Sequence, residues 1–271
     1  MNGGQRFPLV AVDVGNSQVM AGLFGELPTG NGVLPQPDRT LALEGSHWEP
    51  VEIALWLAPL QPADVCWRLA SVREDTRFRL QEWLREEGCG TRQLQLTHDQ
   101  LPLAVSLQKP AEIGIDRLLA AVAANQIRPV DRPAVVIDLG SAITVDVVSR
   151  EGAFSGGAIL PGMRMSAQAL SHYTDKLPEV PIGELNQVPA PLGRSTNEAI
   201  CSGLYWGAVG AIRTLVAQLR AEMQIEPLIL LTGGGAAAVV ETLGSEVRYE
   251  PYLILSGIAM VQAQPVQGPR E

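Results

Sequence analysis

Two carboxylates, Asp13 and Asp138, stand at the same point of two similar stretches. Val10 to Phe24 reads VAVDVGNSQVMAGLF, and Val135 to Ser149 reads VVIDLGSAITVDVVS. In each, an apolar run leads to an Asp, one apolar residue, a Gly, a small polar turn and a second β-rich run. Such a stretch reads as a strand ending in a carboxylate, a glycine turn and a return strand. Glycine lets backbone N–H groups approach phosphate oxygens, and a carboxylate beside them can hold the cation that neutralises those oxygens. Taken singly, DVGNS is also what an ordinary hairpin turn uses for its backbone geometry. Two copies, 125 residues apart (138 − 13), point to two similar half-molecules facing a phosphate-handling cleft. Asp13, Gly15, Asn16 and Ser17 would form one turn; Asp138, Gly140, Ser141 and Thr144 would form the other. Asp138 follows the apolar VVI, where a carboxylate is expensive unless paired or bound to a cation.

Three further groups carry chemistry. Gly114, Asp116 and Arg117 (GIDR) lie in a stretch read as a helix over Ala111–Gln126. Inside a helix Gly114 costs about 1 kcal/mol relative to Ala, which suggests close approach by a ligand or backbone. Asp116 can accept a proton from an attacking hydroxyl and Arg117 can hold an anionic group; a solvated helix face is the plainer explanation of the pair. Gly233, Gly234 and Gly235 follow the apolar LILL, and GGGAAA satisfies the GxGxxA dinucleotide fingerprint. That fingerprint opens a βαβ unit, whereas only 36 residues remain after Gly235. A turn facing the adenosine end of a nucleotide is the better reading, a helix-packing turn the alternative. Thr196, in GRSTNEA, falls at a helix start, where it either caps the helix or receives a polar substrate end. No GxxxxGK[ST] occurs, which excludes a P-loop enzyme.

The elements that position these groups follow from periodicity and punctuation. Strands are expected over Leu9–Val14, Gln18–Phe24, Val65–Ala70, Ala134–Ile137 with its return, and Leu228–Leu231. Helices are expected over Val51–Leu57, over Thr76–Glu87 with Asp75 as cap, and over Ala111–Gln126. Further helices fall over Met163–Lys176, from a cap at Ser195 or Thr196 to Met223, over Ala236–Leu243 and over Ser256–Gln264. Leu27–Asp38 and Pro178–Gly193 read as loops, Gly156–Gly157 as a turn, and residues 263–271 as a flexible tail. Alternating strands and helices indicate α/β, and the early return hairpins a mixed sheet. A joint near 111–133 divides the chain into domains 1–115 and 116–262.

Composition narrows the class. At 271 residues with 46% hydrophobic and 18% charged residues, the chain is globular with a substantial core. A formal charge of −9 argues against a general nucleic-acid binder and leaves a locally electropositive anion site open. Cys66, Cys89 and Cys201 are scattered without a CxxC pair, and the three His show no paired spacing. Neither a disulfide framework nor a zinc or Ser–His site is implied. No signal peptide is visible, and no apolar stretch is read as reaching the roughly 20 residues that span a bilayer. A cytoplasmic protein without membrane or nucleic-acid partners is expected.

The motifs DVGNS, GIDR, IDLGSAIT, GGAILPGM, GRSTNEAICSG and LTGGGA, in this order and spacing, resemble the type III pantothenate kinases across nearly the whole chain. The resemblance implies two ribonuclease-H-like domains of the actin-like, acetate and sugar kinase superfamily, with the nucleotide in the cleft between them. It implies ATP-dependent phosphorylation of pantothenate, the first step towards coenzyme A, by a homodimer needing Mg²⁺ and a monovalent cation, K⁺ or NH₄⁺. Asp13, Val14, Gly15, Asn16, Ser17, Gln18, Val19 and Met20 would then form the ATP phosphate loop, with Asp13 reaching the Mg²⁺–phosphate unit. Gly114, Ile115, Asp116 and Arg117 would line the pantothenate site, with Asp116 as proton acceptor. Asp138 would bind the monovalent cation, Ser141 the ATP, Thr196 the substrate, and Gly233, Gly234 and Gly235 would face adenosine. Ser17 and Ser141 stand where the family has Thr, and keep the hydroxyl. Where the family commonly has a substrate-touching Tyr in Tyr-x-Asn-Pro, this chain has Leu107, Lys109 and Pro110. Leu107 therefore keeps a same-superfamily kinase for another small hydroxylated acid or sugar in view, beside a non-catalytic regulatory relative.

Overall fold

A computed structural model describes residues 8–28, 30, 32–44 and 48–261. The chain gathers into two compact units. One comprises the described residues up to Leu103, Gln108–Ile127 and the chain from Tyr252; the other comprises Ala104–Leu107 and Arg128–Pro251.

In the first unit β1 (Leu9–Val14) and β2 (Gln18–Phe24) form the expected hairpin, joined by β3 (Arg39–Glu44), β4 (Cys66–Ser71) and β5 (Gln93–Gln95). The order is β3-β2-β1-β4-β5, with β1 parallel to β4 and antiparallel to β2. All of β1 is buried save half-buried Asp13, as befits a central strand covered on both faces. One face receives Ile53 and Leu57 from α1 (Pro50–Leu57) and Leu80, Trp83 and Leu84 from α2 (Glu74–Glu86), packed on Val10, Val12 and Val14. α3 (Ile115–Ile127) packs on β4 and against α8 (Leu253–Met260), which lies on β1. The two helices approach so closely that a Cβ on Gly257 would meet the Leu119 carbonyl oxygen, with the Leu119 carbonyl carbon at 2.8 Å. Backbone cannot give way there. Gly257→Ala is expected to cost about 1–3 kcal/mol by overpacking, read as a lower midpoint in thermal unfolding.

The second unit holds β6 (Ala134–Leu139), β7 (Ala142–Val148), β8 (Phe154–Pro161), β9 (Leu228–Thr232) and β10 (Val247–Tyr249), ordered β10-β9-β6-β7-β8. Read from its other edge, this is the order of the first sheet. In each, three antiparallel strands adjoin two parallel ones, and Asp13 and Asp138 are each the fifth residue of the third. The repeat is thus structural as well as textual. It also shifts by one residue at the turn: Asp13 pairs with Met20, seven residues on, but Asp138 with Thr144, six on. The other elements are α4 (Met163–His172), α5 (Ile182–Leu185), α6 (Thr196–Met223) and α7 (Ala236–Leu243). Tyr205, Val209, Ile212 and Val216 of α6, with Ala236 and Val239 of α7, pack on Val135, Ile137 and Val145.

Several expectations are corrected. The division is not a single cut at 115/116, because α3 and α8 together cover the first sheet and bring the chain's later part back to it. α2 starts at Glu74 with Arg73 at its N-cap, since the Asp75 carboxylate is engaged by Arg73 and by the Thr76 N–H inside the first turn. α3 begins at Ile115 after a short 3₁₀ turn at Pro110–Glu112, so Gly114 precedes the helix and interrupts nothing. Gly156 and Gly157 lie within β8, paired with Val147 and Asp146 of β7, and Gly156 takes φ +105 at the irregularity in that pairing. α4 stops at His172, α5 occupies part of the expected loop Pro178–Gly193, and α8 runs from Leu253 to Met260. β3, β5, β8 and β10 are strands beyond those that the sequence periodicity predicts. α6, at 28 residues with an 18-residue stretch of mean hydropathy 1.3, does meet the length and composition of a membrane span. Its core-facing side lies on the second sheet. The tail 263–271 lies outside the described residues.

Candidate active site

β1 delivers Asp13 to the carboxyl end of the first sheet, where its Oδ1 is shielded from solvent. The Gly15 N–H donates to the Gln18 carbonyl at 3.0 Å, closing a tight turn with Asn16 and Ser17 at its tip. Asn16 is exposed and Ser17 half-buried, whereas Val14 and Val19 are core residues. Of the expected loop Asp13–Met20, therefore, Val14 and Val19 can offer a ligand only backbone.

β4 ends beside the same turn, and the Val72 N–H donates to the Val14 carbonyl at 3.1 Å. The Arg73 Nη1 donates to the Asn16 carbonyl at 3.1 Å, while its Nε and Nη2 grip both oxygens of Asp75 at 2.9 and 3.0 Å. That fork holds the Asp75 carboxyl below the usual carboxylate range. Val72 also links the turn to α3: its Cγ1 lies 3.7 Å from where a Cβ on Gly114 would stand. The same Cβ would strike Oδ1 of Asp116, which accepts the Arg117 N–H at 2.8 Å. Gly114 thus leaves room for the Asp116 carboxylate, which explains the glycine better than an interrupted helix does. Asp116 and Arg117 are half-buried; Ile115 points into the core, 5% exposed, and can serve a ligand only through its backbone.

In the second unit Asp138 is half-buried, registered with Thr144 on one side and Thr232 on the other. The Gly140 N–H donates to the Ala142 carbonyl at 3.0 Å, and half-buried Ser141 sits at the tip of this tighter turn. The Gly162 N–H donates to the Ser141 carbonyl at 3.0 Å, tying the end of β8 to it. Gly233 has φ +96, and a Cβ there would land on Oδ1 of Asp138 and within 2.7 Å of the Leu139 backbone. The Gly235 N–H donates to the Leu139 carbonyl at 2.9 Å. The TGGG turn and the DLGS turn therefore form one cradle, with Gly234 exposed at its rim. Thr144 donates to buried Asp146 at 3.0 Å, a carboxylate that sequence reading had passed over.

Two expected substrate residues lie elsewhere in this unit. Ser195 is the N-cap of α6, its Oγ accepting the Glu198 N–H at 3.2 Å. Thr196 is exposed and borders an apolar groove of about 280 Å³ with Leu170, Leu177, Ile200 and Leu204. Leu107, 38% exposed, packs over Gly156. Arg73 is the main residue that sequence reading missed. No sequence signal marks it, because its reach to the Asn16 carbonyl depends on β4 lying parallel beside β1.

Among the described residues no three His, Cys, Asp or Glu converge as a metal cage. Asp13, a shielded carboxylate beside the Gly15–Gln18 turn, fits Mg²⁺, which is held by one or two carboxylates together with substrate phosphates. Asp138, beside Gly233, would offer a carboxylate to a cation.

Solved structures share this fold. The activator of the 2-hydroxyisocaproyl-CoA dehydratase from Clostridium difficile superposes with a TM-score of 0.51 at 12% identity, over 94% of this chain and 92% of that one. The ethanolamine utilization protein EutJ from Carboxydothermus hydrogenoformans gives 0.53 at 13%, over 96% and 92%. Each unit carries the mixed sheet of the ribonuclease-H-like, actin-like class. Type III pantothenate kinases align from Acidiphilium cryptum, 39% identical over 171 residues, and from Paramagnetospirillum magneticum, 40% identical over 171. Each alignment covers 62% of this chain, and 62% and 64% of the relative, so the match spans under two thirds of their length. The family model for type III pantothenate kinase matches residues 9–218, and the chain belongs to that family.

Proposed function

We propose that the chain transfers the γ-phosphoryl group of ATP to the hydroxyl of pantothenate, giving 4'-phosphopantothenate, the first step of coenzyme A synthesis. Beyond family membership, one observation carries this reading. The Val72 N–H bonds the Val14 carbonyl and its Cγ1 lies 3.7 Å from where a Cβ on Gly114 would stand, so one unit brings the Asp13–Ser17 turn and the approach to half-buried Asp116 to either side of Val72. Phosphoryl transfer through a loose transition state needs alignment and charge neutralisation more than covalent help. The turn N–H groups and the Ser17 hydroxyl hold phosphate oxygens, and Asp13 meets their cation. Mg²⁺, when bound, neutralises charge on the phosphate oxygens. Asp116 orients and deprotonates the hydroxyl, and Arg117 holds an anionic group of the acceptor. The DLGS–TGGG cradle receives nucleotide through Ser141 and Gly233–Gly235, and Thr196 meets the acceptor.

The test is direct: ATP-, Mg²⁺- and K⁺-dependent formation of phosphorylated pantothenate by the purified chain. ADP release with pantothenate supports the reading; none under saturating ATP, Mg²⁺ and K⁺ or NH₄⁺ overturns it. Asp138 is assigned the monovalent cation. Asp138→Ala is expected to abolish the stimulation by K⁺, and an unchanged K⁺ response removes that role. A homodimer is part of the proposal, checked by light scattering on the purified chain. The three free cysteines suit a reducing cytoplasm.

A second reading rests on Leu107. It presents an aliphatic side chain packed over Gly156, which offers no hydrogen bond to a polar acceptor. A panel of hydroxy acids and sugars, read by ATP consumption, decides between pantothenate and another small hydroxylated acceptor.

A further inference from the structure

We propose that Arg73 is a positioning residue for the phosphate turn, pinning the Asn16 carbonyl so that the Ser17 N–H is held aimed at a bound phosphate. This rests on the reading of that turn as a phosphate site. Three contacts fix the arginine. Its backbone is set by Ser71, whose Oγ donates to the Arg73 carbonyl at 2.8 Å and accepts the Arg73 N–H at 3.0 Å. Its guanidinium plane is set by the two-point grip on Asp75. The remaining Nη1 reaches the Asn16 carbonyl, 57 residues away in the chain, at 3.1 Å. A trans peptide is planar, with C=O and N–H on opposite sides. Anchoring the Asn16 oxygen therefore directs the Ser17 N–H away from Arg73.

The alternative is a surface ion pair that only decorates the start of α2. The Arg73 and Asp75 side chains are 33% and 65% exposed, and exposed pairs contribute little to stability. The two roles therefore separate cleanly: a decorative pair moves nothing, and a positioning residue moves nucleotide affinity without moving the fold.

The experiment measures MgATP dissociation constants by calorimetry, both KM values, and the unfolding midpoint, for the parent, Arg73→Ala, Arg73→Lys, Asp75→Asn and the Arg73→Ala/Asp75→Asn double variant. Loss of one charge-assisted hydrogen bond predicts that Arg73→Ala raises the ATP Kd and KM about tenfold. The KM for pantothenate stays within about twofold and the midpoint is unmoved. Lysine keeps the charge without the fork and restores affinity only in part. Asp75→Asn weakens ATP binding less than Arg73→Ala, and the double variant is no worse than Arg73→Ala alone, because both act through one contact. An unchanged ATP Kd in Arg73→Ala overturns the proposal, as does a parallel rise of both KM values with a fallen midpoint. Should Arg73→Ala fail to fold, Arg73→Lys and Asp75→Asn decide by the same readouts. A parent that binds MgATP but leaves pantothenate unphosphorylated ends the functional reading, with the Arg73 measurement still decisive. A working kinase whose variants bind ATP like the parent ends the role of Arg73 alone.

Discussion

Asp116→Asn is expected to lower kcat by about 10²–10⁴-fold, the usual contribution of a positioned general base, while MgATP binds as in the parent. The substitution is a sharp probe because it preserves shape. The asparagine carbonyl can still accept the Arg117 N–H that Asp116 Oδ1 accepts at 2.8 Å, and the space left by Gly114 remains filled. What disappears is the carboxylate's capacity to take a proton, the role proposed for it. The KM for pantothenate should change little, since the interaction removed matters most in the transition state. Steady-state rates with pantothenate, set beside calorimetric ATP affinity, check both halves of the expectation. Turnover at the parent rate would remove Asp116 from the base role.

Gly233→Ala should damage the second cradle more than any other small change there. Gly233 sits at φ +96, where an L side chain is strained by about 1–2 kcal/mol. The new methyl would also meet Oδ1 of Asp138 and the Leu139 backbone, and backbone does not yield cheaply. Overpacking adds about 1–3 kcal/mol, so a loss near 3 kcal/mol and a midpoint lower by about 10 °C are expected. Asp138 must move as well, so the K⁺ response should weaken in any fraction that stays folded. Gly234→Ala is the control: nothing lies within 4 Å of a Cβ there. Stability should change by less than about 0.5 kcal/mol, and a raised ATP KM in this variant would place nucleotide against the rim. A Gly233→Ala protein as stable as Gly234→Ala would refute the packing argument.

The parts of the fold that could be read directly were those whose pattern is local. β1 with β2, and β6 with β7, each combine an apolar run and a glycine turn, and the structure keeps their expected positions. β5, with the sequence QLQ, and β10, with VRY, are three-residue edge strands whose pairing with β4 and β9 supplies what their composition lacks. β8 carries Gly156 and Gly157, which read as a turn; pairing with β7 keeps them in the strand, with Gly156 at φ +105 where the register shifts. α8 closes the first unit from the far end of the chain, a contact of long sequence separation that no local pattern encodes. Asp13 and Asp116 of the first unit, and Asp138 and the three glycines of the second, were all visible as residue types in a meaningful order. Val14, Val19 and Ile115, grouped with them by adjacency, prove to be core.

Chemistry-bearing residues, the duplicated strand–turn–strand and the α/β class were written in the chain itself, because strand period, glycine turns and carboxylates at strand ends are short-range features. Packing alone decided that Gly114 clears space for Asp116, that Gly233 lies against Asp138, and that Arg73 reaches Asn16. Each of those contacts depends on which strand lies beside which: β4 on β1, β9 on β6. Strand neighbours are chosen by the burial of whole faces, a property of the assembled sheet that no single segment carries.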